Sequence, residues 1–175
     1  NLSQANLFAF GIGSSVNRHL IEGMARAGQG EPFVVLDPRT AAHEADRFRR
    51  MINAPVLTHI KARFEGLDVY DVEPLAVPDV FARRPVILYG KWRGQAKGRL
   101  VLDGRAADGP FQAALDVRDA QVSEKNGDLR YLWARHRIAS LSDQEALEGA
   151  GAQRDAILAL GLRYNLLTQY TSFIA

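Results

Sequence analysis

The residues best placed for chemistry near the N-terminus form a glycine turn, Gly11-Ile12-Gly13, followed by Ser14 and Ser15. Backbone amides at the start of a helix can hold a phosphate, which makes Gly11, Gly13, Ser14 and Ser15 candidate anion-binding residues. The third glycine of a dinucleotide fingerprint is absent, and a tight structural turn is the better explanation of the glycines. A nucleotide- or anion-binding α/β enzyme that uses this turn is therefore the alternative interpretation.

A serine and a histidine, Ser15 and His19, lie four residues apart on an expected helix, which is a spacing that a nucleophile and its base could use. No oriented third group or oxyanion motif accompanies them, and Ser14 or Ser15 also suits the N-cap of that helix. The four histidines form no His-x-x-x-His or Glu-x-x-His motif; they are His19, His43, His59 and His136. We therefore expect neither catalytic residues nor metal ligands nor a cofactor in this chain.

Two clusters of charged residues could have a binding function. Asp68, Asp71 and Glu73 are acidic and close together, but they lack the glycine and the alternating oxygen ligands of a calcium loop, which favours a solvated loop. Basic residues surround an aromatic side chain in an expected hairpin with the loop 94–98, a combination that can bind nucleic acid or a polyanionic sugar. Such charges more commonly keep an edge strand soluble. This group consists of Lys91, Trp92, Arg93, Lys97 and Arg99.

Composition narrows the class of protein further. The chain has 175 residues, 47% of them hydrophobic, and a formal net charge of +2, which gives no reason to expect nucleic acid as a partner. It has no cysteine, which excludes disulfides and Cys-type zinc sites in these residues. No apolar run approaches the roughly 20 residues that span a bilayer. No export signal is visible, and Asn1-Leu2-Ser3 matches a glycosylation sequon.

The first third of the chain has the pattern of a parallel α/β layer. The apolar runs 7–12 and 33–36 predict two buried strands, and amphipathic helices are expected after each of them, the first ending at Gly28 and the second starting near Thr40. From residue 56 to 117, short apolar segments between Gly, Pro and Asp turns predict antiparallel strands. Two of the expected turns are Asp103-Gly104 and Asp108-Gly109. Helical periodicity resumes at 129–147 and 156–160, and 161–175 has β-rich composition.

Two stretches carry a family resemblance. The sequences FAFGIGSSVNRHLIEGMARAGQGEPFVV and ADRFRRMINAPVL resemble the closing part of a von Willebrand factor type A domain. The sequences RYLWARHRIASL and LALGLRYNLLTQYTSFIA resemble the region that follows this domain in proteins similar to the inter-alpha-trypsin inhibitor heavy chains, including their bacterial VIT/VWA relatives. The resemblance therefore covers nearly the whole chain.

The resemblance implies a divided architecture and a non-enzymatic function. Residues 1–55 would be the C-terminal part of a Rossmann-like type A domain, 56–125 an antiparallel β-sandwich-like module, and 126–175 a helical segment with a terminal strand that packs on it. The metal-dependent adhesion site of a type A domain uses an Asp-x-Ser-x-Ser loop, which these residues lack. Magnesium or another divalent cation is thus expected only in an intact type A domain.

These implications predict a fragment of an extracellular or cell-envelope adhesion or protein-interaction protein. Its 175 residues would be the scaffold behind an adhesion site located upstream. Two parallel strands cannot bury both faces of a sheet. We therefore expect residues 1–55 to pack against an upstream segment, consisting of the VIT region and the first type A strands, or against a swapped copy of the chain, or else to be poorly ordered. The ligand of the whole protein is expected to be a protein or a matrix component.

Overall fold

A computed structural model describes residues 6–53, 55–81, 85–120 and 123–172, without the side chains of residues 55, 56 and 124. The strands and α-helices of these residues confirm a mixed α/β class. In chain order they are β1 Ala9–Ile12, α1 Arg18–Ala27, β2 Pro32–Val35, α2 Ala41–Ile52, β3 Pro55–Glu65, β4 Asp68–Glu73, β5 Val80–Phe81, β6 Tyr89–Arg93, β7 Arg99–Ala106, β8 Gly109–Asp116, α3 Leu129–Glu148 and α4 Arg154–Tyr164. Short 3₁₀ helices occur at Pro38–Thr40, Val117–Asp119 and Glu124–Asp128.

The described residues form two compact units, between which the chain passes repeatedly. The first unit comprises the described residues of Asn1–Gly66, Ala76–Ile87 and Lys97–Val117. The second unit comprises those of Leu67–Leu75, Leu88–Ala96 and Arg118–Ala175. The domain limits at residues 55 and 125 stay a prediction.

The first unit begins with a parallel pair of strands between two helices. β1 and β2 pair in register from Ala9 opposite Pro32 to Ile12 opposite Val35. On one face, the main chain of β1 at Gly11 lies so close to Val16 and Ile21 that a Cβ atom there would be 2.3 Å from the Val16 side chain. On the other face, α2 contributes Phe48, whose ring contacts the rings of Phe10 and Phe33. The helices α1 and α2 therefore cover opposite faces of the pair.

The first unit also contains a second sheet, which is antiparallel. Its strand order is β5-β3-β7-β8, with β8 at one edge. The expected turn at Asp103-Gly104 is wrong, because both residues lie within β7, and Gly104 packs against the side chain of Leu57 on β3. The expected turn at Asp108-Gly109 does connect β7 to β8, with Gly109 at a φ of 135°. Whether this sheet belongs to a sandwich stays a prediction.

The second unit combines the antiparallel pair β4-β6 with the helices α3 and α4. The expected hairpin around 94–98 is wrong, since β6 pairs with β4 whereas β7 pairs with β3 and β8. The helix α4 extends to Tyr164 and ends at Asn165, which adopts the left-handed conformation. Within the described part of the β-rich C-terminal stretch, the one bridge is Thr168 with Thr171.

Candidate functional site

The candidate anion-binding turn has one of its amides already hydrogen-bonded. The amide of Gly13 donates to the carbonyl of Val35 at 2.9 Å, so an anion would have to displace a hydrogen bond of the sheet. The helix α1 begins later than expected, at Arg18, and its N-cap is Asn17, whose Oδ1 accepts from the amide of Leu20. The prediction that Ser14 or Ser15 caps this helix is therefore wrong.

The serine and histidine of this segment do not form a catalytic pair in the structure. Ser14, Ser15 and His19 are exposed, and within the described residues none of their side chains makes a hydrogen bond. The other histidines are spread over both units, where His43 contacts Glu44, His59 contacts Thr58 and His136 stacks near Tyr89. The alternative of an enzyme built on the Gly11–Gly13 turn gains no support from this geometry. The sequon Asn1-Leu2-Ser3 lies outside the described residues.

The three residues of the acidic cluster all lie on β4, but their side chains have different surroundings. Asp71 pairs with Lys91, with 2.9 Å between Oδ2 and Nζ. Glu73 is completely buried and accepts from Arg137 Nη1 at 2.8 Å and from Ser140 Oγ at 2.9 Å. The expectation of a solvated loop is therefore wrong for Glu73. Among the described residues, no three His, Cys, Asp or Glu side chains lie close enough to hold a metal ion.

The basic group is used largely in local contacts. The ammonium group of Lys91 lies 3.4 Å from the ring centroid of Trp133, and the indole nitrogen of Trp133 donates to the Asp71 carbonyl. The Arg93 guanidinium lies over the ring of Tyr70, 4.3 Å from its centroid. In the other unit, Arg99 pairs with Glu65. The contacts of Trp133 with Lys91 and Asp71 hold β4 and β6 against α3. Trp92 stays exposed.

A second buried carboxylate ties the end of α3 to the C-terminal stretch. Glu145 is 4% exposed and accepts from the Tyr170 hydroxyl, the Gly151 amide and the Gln169 side chain. The Tyr170 hydroxyl is the largest cause that holds the pKa of Glu145 below its usual value of 4.5, against the opposing effect of burial. Sequence reasoning missed this site, because the stretch 148–151 has the composition of a plain linker.

This carboxylate predicts a pH dependence of stability. Because the pKa is lower in the folded state, its contribution is fully present above pH 4.5 and is lost as the pH falls through the folded pKa. Tyr170→Phe removes the main cause of the shift. We expect the loss of unfolding free energy between pH 7 and about pH 3 to be smaller in this variant than in the parent chain. Chemical denaturation at a series of pH values measures it.

The control for this prediction is Tyr89→Phe. Tyr89 is in the same unit, and within the described residues its hydroxyl makes no hydrogen bond to a carboxylate. This variant should keep the pH profile of the parent chain. If both variants shift the acid limb of the profile equally, Tyr170 is not the group that holds the Glu145 carboxylate ionised.

The first unit presents a surface of another kind, an apolar one. On β1, Phe10 is 44% and Ile12 is 68% exposed, and Leu36 at the end of β2 is 60% exposed. Leu20 and Met24 of α1 are also exposed. Large apolar side chains that stay exposed on a strand pair and its helix are typical of interaction surfaces. We call Phe10, Ile12, Leu20, Met24 and Leu36 the apolar surface of the first unit.

The edges of the parallel pair indicate where this surface can be extended. The amide of Ala9 donates to the carbonyl of Glu31, directly before β2, and the amide of Gly13 donates to that of Val35 at the end of β2. Since successive amides of a strand point to opposite edges, those of Phe10 and Ile12 point away from β2. Within the described residues no strand pairs with β1 on that edge.

None of the helices in the described part of the chain is long and apolar enough to cross a bilayer.

Comparison with known proteins gives a consistent but distant relationship. No family model matches the chain. Three von Willebrand factor A domain-containing proteins of Dictyostelium discoideum are 24%, 24% and 25% identical to it, over 98%, 98% and 99% of its length. The chain spans only 19%, 21% and 9% of the length of these curated relatives. Over almost all of its length, the chain is therefore similar to part of the von Willebrand factor A domain-containing proteins.

Proposed function

We propose that this chain is part of a non-enzymatic protein-interaction or adhesion protein, in which it forms the scaffold behind a metal-dependent adhesion site. The observation that carries the proposal is the parallel pair β1-β2, which has a helix on each face and exposed apolar side chains at Phe10 and Ile12. Within the described ranges, no strand pairs with the other edge of β1. A parallel sheet with helices on both faces is normally larger than two strands. The similarity to von Willebrand factor A domain-containing proteins supports the same conclusion.

The pair suits the last two strands of a doubly wound sheet. In the order 3-2-1-4-5-6, strand 6 is an edge strand and strand 5 pairs with strand 4. In this assignment β1 is strand 5 and β2 is strand 6. The first residue of β2 is Pro32, and proline is tolerated at the start of an edge strand because no amide is needed there. The upstream segment of the same protein, or a swapped copy of the chain, would then supply the strand beside β1.

The adhesion site itself would lie in the upstream segment. The 175 residues contain no Asp-x-Ser-x-Ser sequence, so the loop that holds magnesium or another divalent cation would come from the residues encoded before Asn1. Following the resemblance to the inter-alpha-trypsin inhibitor heavy chains, we propose a VIT region in the whole protein and a location outside the cell or in the cell envelope. The partner would be a protein or a matrix component.

Magnesium binding tests this proposal. The protein extended upstream through a complete type A domain should bind Mg²⁺ in a calorimetric titration, and replacement of the first Asp of its Asp-x-Ser-x-Ser loop by alanine should abolish the binding. The 175-residue chain, as the matched control, should not bind. The proposal fails if the upstream sequence contains no such loop, or if the short chain binds Mg²⁺ as tightly as the extended protein.

A further inference from the structure

A cleft in the second unit collects two arginines and two tyrosines. Arg130 and Tyr131 lie in the first turn of α3, and Arg163 and Tyr164 lie in the last turn of α4. Their side chains line an open cleft of about 310 Å³. The two tyrosine rings are 6.5 Å apart and nearly perpendicular, which gives the cleft an aromatic floor shared by both helices. We call these four residues the Arg/Tyr cleft.

The arginines of the cleft are held in place without being neutralised. Arg130 Nη2 donates to the Tyr131 hydroxyl at 2.9 Å, and its guanidinium lies 4.8 Å from the centre of that ring. The Arg163 guanidinium lies 5.6 Å from the centre of the Tyr164 ring. In the part of the chain that the structure describes, neither arginine forms an ion pair and no carboxylate lines the cleft. Arg137 on the same helix, by contrast, is paired with Glu73.

We propose that the Arg/Tyr cleft binds the carboxylates of an acidic segment of a protein partner. A guanidinium offers a planar fork of donors that matches a carboxylate, and stacking on an aromatic ring orients that fork in advance. Arginine and tyrosine are the residue types enriched at the energetic centres of protein interfaces. Two guanidinium groups beside one cleft fit two neighbouring acidic side chains.

The surroundings favour a peptide over a free phosphate or a nucleic acid. Leu129, Leu132 and Leu162 are 52%, 42% and 70% exposed and belong to the same turns of α3 and α4 or their neighbours. Exposed leucines on the helical turns that carry the charged anchors suit a partner that has apolar side chains near its carboxylates. The net charge of +2 gives no extended basic field of the kind that attracts a polyanion.

This inference is independent of the proposed adhesion function. The cleft belongs to the second unit, whereas the apolar surface belongs to the first. Peptide binding at the cleft requires no divalent cation, so its failure and a failure of the Mg²⁺ test can be told apart.

The test uses the complete 175-residue chain and the blocked tetrapeptide Leu-Glu-Glu-Leu. The Nε–Hε resonances of Arg130 and Arg163 should shift on titration and saturate with a dissociation constant of about 1 mM or below. The double variant R130Q/R163Q should bind the peptide at least about tenfold more weakly, and calorimetry measures this loss of affinity. Arg163→Lys keeps the charge but loses the planar fork and should also weaken binding.

The matched control is R50Q/R105Q, which removes the same net charge from two exposed arginines of the first unit. It should bind within about twofold of the parent chain, because charge alone is not the determinant. Circular dichroism establishes that each variant is folded, and Arg163→Lys provides the test if the double variant is not. The proposal is overturned if Leu-Gln-Gln-Leu binds equally well, if the control loses as much affinity, if inorganic phosphate binds more tightly than the peptide, or if no resonance shifts.

Discussion

Replacing Glu73 by alanine should destabilise the second unit by about 3 kcal/mol. Glu73 is fully buried, and its carboxylate accepts hydrogen bonds from Arg137 and Ser140. The variant leaves the Arg137 guanidinium, whose side chain is 33% exposed, without its counter-charge beside a new cavity. Removing one partner of a buried ion pair costs far more than the pair itself contributes.

Urea denaturation followed by tryptophan fluorescence measures this effect, since Trp92 and Trp133 are the two tryptophans of the chain and both belong to the second unit. Asp71→Asn is the control. Asp71 belongs to the same unit and pairs with Lys91, but its side chain is 44% exposed, so we expect less than about 1 kcal/mol. Equal costs for the two variants would contradict the role given to Glu73.

Replacing Phe33 by alanine should cost the first unit about 3–5 kcal/mol of unfolding free energy. Phe33 is 1% exposed and belongs to a buried cluster with Met51 and Phe81. Its ring stacks on Phe10 at 5.0 Å and meets the edge of Phe48 at 5.4 Å. The alanine variant therefore leaves a cavity between β2 and α2 that rigid neighbours fill only partly.

Native-state hydrogen exchange measures this second effect at the amides of Ala9 and Gly13, which donate to β2. Protection of both amides should fall in Phe33→Ala. Leu36→Ala is the control, since Leu36 is 60% exposed at the end of the same strand and should change stability by less than about 0.5 kcal/mol. A similar loss of protection in both variants would show that Phe33 is not the centre of this core.

The α/β layer could be predicted from the sequence because its signals are local. Short apolar runs mark β1 and β2, Gly28 ends α1 as expected, and α2 ends before Pro55. The starting point of α1 could not be predicted equally well. Several residues before the helix can act as caps, and only the structure shows that Asn17 does so.

The contacts of the second unit could not be predicted, because their partners are far apart in the chain. β4 contains three acidic residues, a composition that is typical of a loop, yet Glu73 finds a guanidinium on α3. In the same way Arg130 and Arg163 reach one cleft only because α3 and α4 pack together. Sequence periodicity identifies such helices but not which polar side chains become buried between elements.

The proposed scaffold function requires β1 to be an interior strand of a larger sheet. Hydrogen exchange at the amides of Phe10 and Ile12 tests it directly, since both point away from β2. In the 175-residue chain at low concentration these amides should exchange rapidly, while those of Ala9 and Gly13 are protected. In the protein extended upstream they should become protected by at least about 100-fold. Protection that appears in the short chain only at high concentration would identify a second copy as the partner. Rapid exchange of Phe10 and Ile12 in the extended protein as well would contradict the account.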